Sequence, residues 1–302
     1  VLHHAIQSSM AGNGVSVLVI PGDVSMQDAE DDSFVESKIS AGRPVVFPDP
    51  AEAAALTQAI NEAKSVTLFV GAGVKDAREQ VLKLAEKIKA PIGHALGGKM
   101  YIQYENPFDV GMNGLLGYGA AHEATHEADL LILLGTDFPY NDFLPDANVA
   151  QVDINGSHIG RRTKISYPVT GDVAATIENI LPHVDEKKDR SFLDKMLKKH
   201  YGKLEHVVEA YTSNVDKHTP IHPEYVADLI DKNADEDAIF TVDTGMCNVW
   251  GARYITANGK REQIGSFRHG TMANALPQAL GAQAANPGRQ VITFSGDGGL
   301  SM

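Results

Sequence analysis

The chain has 302 residues, of which 26 are basic and 39 acidic, so that its formal net charge at pH 7 is −13. This acidity argues against a nucleic-acid partner, because binding to a phosphate backbone depends on positive charge. The single cysteine, Cys247, excludes an internal disulfide framework and fits a reducing compartment. Apolar runs such as residues 15–20 and 130–134 are far shorter than the ~20 residues that a membrane-spanning helix needs.

Short apolar runs rich in β-branched residues alternate along the chain with longer stretches of helical period. Runs that are apolar on both faces and separated by helices indicate buried parallel strands, so the pattern predicts an α/β protein with doubly wound parallel sheets. The predicted strands are 15–20, 66–70, 130–134, 149–154, 238–242 and 291–294. The predicted helices lie near 51–64, 75–89, 119–127, 172–182, 190–213, 222–232 and 270–285.

Composition divides the chain into four parts. Residues 1–43 hold the end of an α/β unit and an acidic linker, and residues 44–183 hold enough strand–helix units for an independent domain. Residues 184–219 are strongly charged, which predicts a solvated linker helix, with a partner-binding surface as the alternative. Residues 220–302 begin a further α/β domain that stops at a glycine turn, so we expect the chain to be part of a longer one.

The last predicted strand ends in Gly296-Asp297-Gly298-Gly299. Glycines at the carboxyl end of a strand let backbone N–H groups approach a phosphate. A carboxylate together with phosphate oxygens is a usual way to hold Mg²⁺, so Asp297 is a candidate metal ligand, with capping of the next helix as the alternative. Met272 lies between the predicted strands at 238–242 and 291–294. It is either a ligand contact or a core residue.

The central domain carries a second glycine turn, Gly71-Ala72-Gly73, after the strand at 66–70. Such a turn can set a dinucleotide pyrophosphate against a helix, although the third glycine of the usual fingerprint is replaced here by Asp76. Acidic side chains at later strand ends are candidates for ribose hydroxyls. Each of them is equally explained as a turn or a helix cap, and Asp172 in particular has the sequence context of an N-cap.

Several stretches of the chain resemble a known enzyme family. GDGG at 296–299, TVDTGMCNVW at 241–250 and GSFRHGTMANALPQALGAQ at 265–283 resemble the diphosphate-binding domain of thiamin-diphosphate enzymes of the pyruvate oxidase and acetohydroxyacid synthase superfamily. Residues 93–120, 130–145 and 151–162 resemble more narrowly the flavin-dependent pyruvate dehydrogenases that pass electrons to quinone. The resemblance implies a central Rossmann-like flavin domain between partial thiamin-diphosphate-binding domains, with thiamin diphosphate, Mg²⁺ and FAD as cofactors.

The resemblance also implies individual roles. Asp297 matches the first Mg²⁺ ligand of the family, and Met272 matches the apolar residue over which the thiamin cofactor bends. The other positions that match thiamin-diphosphate contacts are Thr244, Gly245, Met246, Gly270, Gly296, Gly298 and Gly299. The positions that match FAD contacts are Gly71, Ala72, Gly73, Ala95, Leu96, Gly111, Met112, Gly135, Asp137, Asp153, Ile154, Asp172 and Val173.

The function implied for the intact enzyme is oxidative decarboxylation of pyruvate to acetate and CO₂, with electrons passed through FAD to a membrane quinone. A homotetramer, located in the cytoplasm and associated peripherally with the inner face of the cell membrane, is implied as well. The family's activating Glu and its second metal-ligating side chain have no counterpart within these 302 residues, so the chain alone is expected to be inactive. The alternatives are an acetohydroxyacid synthase-type carboligase with a structural FAD, a non-catalytic nucleotide-binding module, and a stable middle piece of a larger protein.

Overall fold

The computed structural model describes residues 1–12, 14–28, 38–40, 42, 44–213 and 215–302. These residues form two compact units, Val1–Val45 and Val46–Met302. Most of the acidic linker expected within residues 1–43 lies outside the described residues. The predicted domain boundaries near residues 43, 183 and 219 stay a prediction.

The first unit contains the helices α1 (Leu2–Gly12) and α2 (Gly22–Ser25). The strand predicted at 15–20 is wrong, because these residues belong to neither a helix nor a strand. A strand exists only by hydrogen bonding to a neighbour, and the described part of this unit holds no strand to pair with. Its apolar side chains are consequently exposed, as at Val15, which is 93% accessible.

The second unit contains a seven-stranded sheet in the order β4-β3-β2-β1-β5-β6-β7. Its strands are β1 (Val66–Val70), β2 (Ile92–His94), β3 (Asp109–Met112), β4 (Tyr118–Gly119), β5 (Leu130–Leu134), β6 (Val149–Asp153) and β7 (Tyr167–Thr170). All neighbours are parallel except β3 and β4. The prediction of a purely parallel sheet is therefore wrong at β4, because the few residues that join it to β3 are too short for a crossover.

Helices cover both faces of this sheet. They are α3 (Pro50–Glu62), α4 (Arg78–Ile88), α5 (Lys99–Ile102), α6 (Ala121–Glu127) and α7 (Val173–Ile180). In β1, Leu68 and Val70 pack into a core shared with α3, α4 and α7, whereas Phe69 packs on the opposite face. Asp172 caps α7, since its carboxylate accepts from the Ala175 N–H at 3.0 Å, which confirms the helix-cap interpretation of that residue.

The charged segment after the sheet forms α8 (Ser191–Leu204), a π-helical turn at Glu205–Glu209 and α9 (Ala210–Thr212). The prediction of a fully solvated helix is wrong for one face of α8. Leu193 and Met196 are buried against the sheet and its helices, and His200 lies beside the glycines of β3 and β4. Three lysines of α8 next to this buried face pair with carboxylates of α6: Lys195, Lys199 and Lys203.

A second sheet has three parallel strands in the order β10-β8-β9, with β8 (Ile239–Val242), β9 (Glu262–Gly265) and β10 (Val291–Phe294). Its helices are α10 (Pro223–Asn233), α11 (Met246–Tyr254), α12 (Ala275–Ala285) and α13 (Asp297–Ser301). The helix predicted from residue 270 begins only at Ala275, because Gly270 and Ala273 adopt positive φ angles that interrupt a right-handed helix. None of the helices in the described parts of the chain is both long and apolar enough to cross a membrane.

Candidate functional site

The carboxyl ends of β8, β9 and β10 meet at one edge of the small sheet, where α/β proteins usually bind ligands. The loops that follow these strands bring the predicted thiamin residues together. The position that a Cβ would take on Gly270 is 3.8 Å from Cγ2 of Thr244, and the corresponding position on Gly298 is 3.7 Å from Cε of Met272. Residues far apart in the sequence therefore line the same edge.

The glycines of the turn after β10 differ in how much space surrounds them. An added Cβ at Gly298 would make only an ordinary contact with Met272, and one at Gly296 would make an ordinary contact with Sγ of Cys247. At Gly299, in contrast, an added Cβ would lie 2.2 Å from Oδ2 of Asp243. Packing within the chain thus explains Gly299, whereas Gly296 and Gly298 keep space that the protein itself does not fill.

Asp243 holds together the segments that form this edge. No role was assigned to it from the sequence. Its side chain is buried, and Oδ1 accepts from the Ala275 N–H at 2.8 Å, at the start of α12. Oδ2 accepts from the Ser295 hydroxyl, which precedes the glycine turn. One carboxylate therefore fixes α12, β8 and the turn after β10 relative to one another. The sequence signal for this role was the position of an acidic residue directly after an apolar strand.

Met272 and Asp297 both face away from the core. Met272 is 45% exposed, so the alternative that it is a core residue is wrong. Asp297 is exposed in the first turn of α13, where the N-cap position belongs to Gly296 and has no side-chain cap, so the capping alternative for Asp297 is not met either. Among the residues that the structure describes, no three His, Cys, Asp or Glu side chains lie close enough to hold a metal ion.

The local charge at this edge is negative. Burial raises the pKa of the Cys247 thiol, and the charges of Asp243 and Asp297 act in the same direction. A thiol in this environment is a neutral packing group rather than a nucleophile. Negative charge beside an unfilled glycine turn suits a divalent cation, which lets a diphosphate approach a site that would repel it otherwise.

The predicted flavin residues lie at the carboxyl edge of the large sheet. Strand order reverses between β1 and β5, which is the kind of crevice where nucleotides bind in such folds. The two loops at this point pack tightly: a Cβ on Gly73 would lie 2.6 Å from Cα of Gly135. The N–H groups of Gly71 and Gly73 donate to carbonyl oxygens of Leu134 and Gly135 at 3.1 and 2.9 Å. These N–H groups are therefore used in hydrogen bonds within the protein. A flavin contact at the turn stays a prediction.

Other predicted flavin residues have partners within the protein. Asp137 forms ion pairs with Arg161 and Arg162 at 3.1 and 2.9 Å. Burial alone would raise its pKa, but the two guanidinium groups, Arg162 above all, bring the pKa below its ordinary value. Asp153 is buried and accepts from the Asn155 N–H at 2.9 Å. The sequence reasoning missed both arginines, which place positive charge at this edge.

The remaining predicted flavin positions differ in exposure. Met112 and Val173 are buried, whereas Ile154 is 54% exposed beyond the end of β6. The Ala95 N–H donates to the Val70 carbonyl at 2.9 Å, which brings the loop after β2 to the end of β1. The predicted residues Ala72, Leu96 and Gly111 lie in the loop after β1, in the loop after β2 and in β3, respectively.

Comparison with known proteins assigns both parts of the second unit. Residues 53–180 match the model of the thiamine pyrophosphate enzyme central domain, and residues 243–302 match that of the C-terminal domain that binds thiamine pyrophosphate, a synonym of thiamin diphosphate. The chain belongs to the thiamine pyrophosphate enzyme family. The expectations of membership in a thiamin-diphosphate enzyme family and of an α/β fold with a mostly parallel sheet are thereby confirmed, whereas the flavin assignment of the central domain is not shown.

The relatives of this chain carry different names. A putative thiamine pyrophosphate-containing protein, YdaP, of Bacillus subtilis is 32% identical over 100% of this chain and 52% of its own length. An acetolactate synthase of Mycobacterium bovis is 30% identical over 100% of this chain and 50% of its own. A pyruvate oxidase of Lactiplantibacillus plantarum is 26% identical, with the same coverage. The chain thus spans about half the length of these relatives.

The two parts of the chain that match the family are linked by the side chains of the buried Lys99 and the half-buried Arg253. Lys99 is 1% exposed, and its Nζ donates to the carbonyl oxygens of Gly251 and Ile255 at the end of α11. In return, Arg253 of α11 donates to the carbonyl oxygens of Leu116 and Gly117 at 3.3 and 3.1 Å. Cations at a helix C-terminus satisfy its unpaired carbonyl groups and interact favourably with its dipole.

Burial dominates the electrostatics of this interlock. It lowers the pKa of Lys99 to about 7, and it raises the pKa of Asp109 to about 7. His94, whose Nε2 lies 3.7 Å from Oδ1 of Asp109, has a pKa lowered by burial to about 3 and is therefore neutral. None of these three residues was singled out from the sequence, because each becomes unusual only through its burial.

Proposed function

We propose that the whole protein to which this chain belongs binds thiamin diphosphate with Mg²⁺ at the carboxyl edge of the small sheet and decarboxylates pyruvate. The observation that carries this proposal is the convergence of Thr244, Gly270, Met272 and Gly298 at that edge, beside glycines at which an added Cβ would meet only ordinary contacts. Family membership supports it independently.

Each residue at the edge has a task in this proposal. Asp297 contributes a carboxylate oxygen to Mg²⁺, and Gly296 and Gly298 leave room for the diphosphate. The half-exposed Met272 supplies an apolar surface for the rings of the cofactor. Asp243 does not meet the ligand but holds the surrounding backbone in place. Thiamin diphosphate, when bound, supplies the electron sink that loss of CO₂ from a 2-oxo acid requires.

We extend the proposal to an oxidative fate of the substrate, with acetate as the product. Water would supply the second carboxylate oxygen of acetate, and a bound FAD would serve as the two-electron acceptor. The resemblance to flavin-dependent pyruvate dehydrogenases and the pyruvate oxidase relative support this fate. The half-exposed Arg161 and the less exposed Arg162 offer positive charge to an anionic nucleotide at the edge of the large sheet. A membrane quinone as electron acceptor, a homotetramer, and a cytoplasmic location with peripheral membrane contact rest on the resemblance alone.

A carboligase is the second candidate function, in which a second 2-oxo acid accepts the decarboxylated fragment and the flavin keeps its redox state. The acetolactate synthase relative favours it, since its identity of 30% exceeds that of the pyruvate oxidase at 26%. The geometry described above serves both candidates equally, because they share the decarboxylation step.

One experiment separates the candidates. The whole protein, reconstituted with thiamin diphosphate, Mg²⁺ and FAD, is mixed anaerobically with pyruvate while the absorbance of oxidised flavin is followed and the products are analysed. Bleaching together with acetate formation is the result expected for the oxidative function. Formation of acetolactate with a fully oxidised flavin contradicts it and establishes the carboligase. Release of neither CO₂ nor product would contradict the decarboxylation that both candidates share.

A further inference from the structure

Helix α6 carries two histidines that the proposed function does not use. His122-Glu123-Ala124-Thr125-His126 has the spacing H-E-x-x-H, which places two imidazoles on one face of a helix. The structure shows that arrangement, with ring centroids 4.3 Å apart and both side chains exposed. Phe143 packs edge-on against the His122 ring at a centroid distance of 5.8 Å, which limits its orientation.

Hydrogen bonding fixes the tautomer of His126. Its Nδ1 lies 2.9 Å from the carbonyl oxygen of His122, an atom that can only accept. Nδ1 therefore carries the proton, and the lone pair of a neutral ring lies on Nε2. A ring whose second nitrogen donates to a backbone carbonyl is the usual state of a metal-ligating histidine.

Oxygen donors share the space next to this pair. His126 lines a polar cleft of about 680 Å³ together with Asn141, Asp142 and Asp146. Arg162 also lines the cleft, and its guanidinium group is paired with Asp137 at 2.9 Å. A cation on the histidines would therefore face carboxylates and water rather than an unpaired guanidinium group.

The same structure argues against the hydrolytic chemistry for which this spacing is known. Glu123, in the position of the general base, is bound to Nζ of Lys203. No third His, Cys, Asp or Glu completes a preformed ligand set in the part of the chain that the structure describes. A catalytic zinc site needs three protein ligands and an open position.

We propose that His122 and His126 form a two-imidazole site for a divalent transition metal of the zinc class, with water in the remaining positions. The site binds metal without cleaving peptide bonds. It is independent of the thiamin site, since none of its residues belongs to the edge of the small sheet.

The test is calorimetric titration of Zn²⁺ into the whole protein in Mg²⁺-containing buffer, compared with the variant His122→Gln/His126→Gln. Loss of an outer-shell partner already costs about 10–100-fold in metal affinity, so loss of the ligands themselves should remove one Zn²⁺ equivalent from the titration. The control is His183→Gln, an exposed histidine at the end of the turn that follows α7, which should retain that equivalent. Glu123→Gln should retain it as well, because Glu123 is not a ligand.

Three results would overturn the proposal. They are a wild-type protein that takes up no Zn²⁺, a double variant that binds as many equivalents with the same affinity, and a control variant that loses as much binding as the double variant. Because both histidines are exposed, thermal unfolding without metal should be the same in the double variant and the wild type. Added Zn²⁺ should raise the melting temperature of the wild type more than that of the variant.

Discussion

Replacing Lys99 by Met tests the interlock between the central domain and α11. The substitution keeps a long, flexible apolar stem but removes the Nζ that donates to the carbonyl oxygens of Gly251 and Ile255. It also removes a charge that burial makes unfavourable. These two effects oppose each other at a single pH, so the informative quantity is the pH dependence of the free energy of unfolding.

The direction in which the free energy of unfolding changes with pH follows from the lowered pKa of Lys99. In the folded protein Lys99 releases its proton near pH 7, whereas in the unfolded chain it keeps the proton up to its ordinary value of 10.5. Between these limits the unfolded state binds more protons, so the free energy of unfolding rises with pH, by at most about 1.4 kcal/mol per pH unit. From about pH 7.5 to about pH 8.5 the contribution of Lys99 is roughly 1 kcal/mol. Asp109, with a pKa raised to about 7, contributes with the opposite sign mainly below this range.

Urea unfolding at the two pH values measures the effect. Trp250, the single tryptophan of the chain, lies in α11 and reports directly on the helix that Lys99 contacts. The increase with pH should be smaller in Lys99→Met than in the wild type by roughly 1 kcal/mol. The control is Lys83→Met, an exposed lysine of α4 paired with Glu79, which should keep the wild-type increase. An equal increase in Lys99→Met and the wild type would refute the reasoning.

Three further predictions concern the small sheet. Asp243→Asn replaces a carboxylate that accepts from the Ala275 N–H and the Ser295 hydroxyl by a neutral amide with one acceptor oxygen. The loss of charge-assisted hydrogen bonds should lower the free energy of unfolding by about 1–3 kcal/mol in denaturant titration; an unchanged value would contradict the anchoring role. Gly299→Ala should lower the melting temperature because its Cβ would lie 2.2 Å from Asp243, whereas Gly298→Ala should preserve the melting temperature and weaken thiamin diphosphate binding; the reverse order would exclude our interpretation of the turn. Gly281→Ala, in α12 with open space around it, should stabilise the protein by about 0.5–1 kcal/mol, and a loss of stability would show an unrecognised contact.

The sequence predicted correctly those strands that consist of continuous runs of apolar residues. The bounds of β1, β5 and β10 agree with the predicted runs, because these strands are short, continuous and rich in Val, Ile and Leu. The strands β2, β3 and β7 were missed since they contain Gly, His, Asp or Pro, and only pairing with a neighbour makes them strands. The opposite error at residues 15–20 has the same cause, a strand-like pattern that has no partner strand among the described residues.

The sequence predicted which residues form the candidate site better than it predicted the contacts that explain each of them. The acids and glycines at strand ends were identified, since a parallel sheet places all such ends at one edge. Whether a glycine there makes room for a ligand or for its own protein depends on distances that no sequence pattern contains. An added Cβ would fit at Gly298, whereas at Gly73 and Gly299 it would meet neighbouring atoms too closely. The burial of Lys99 and the pairing of Asp137 with two arginines likewise arise from tertiary contacts.

The most direct test of the central claim is Mg²⁺-dependent binding of thiamin diphosphate by the whole protein, measured by calorimetry with and without Mg²⁺. Asp297→Ala should abolish the Mg²⁺-dependent binding, because this carboxylate is the proposed metal ligand at the glycine turn. Asp194→Ala, which removes an exposed aspartate of α8, should bind as the wild type does. Wild-type, Mg²⁺-dependent affinity in Asp297→Ala would contradict the account.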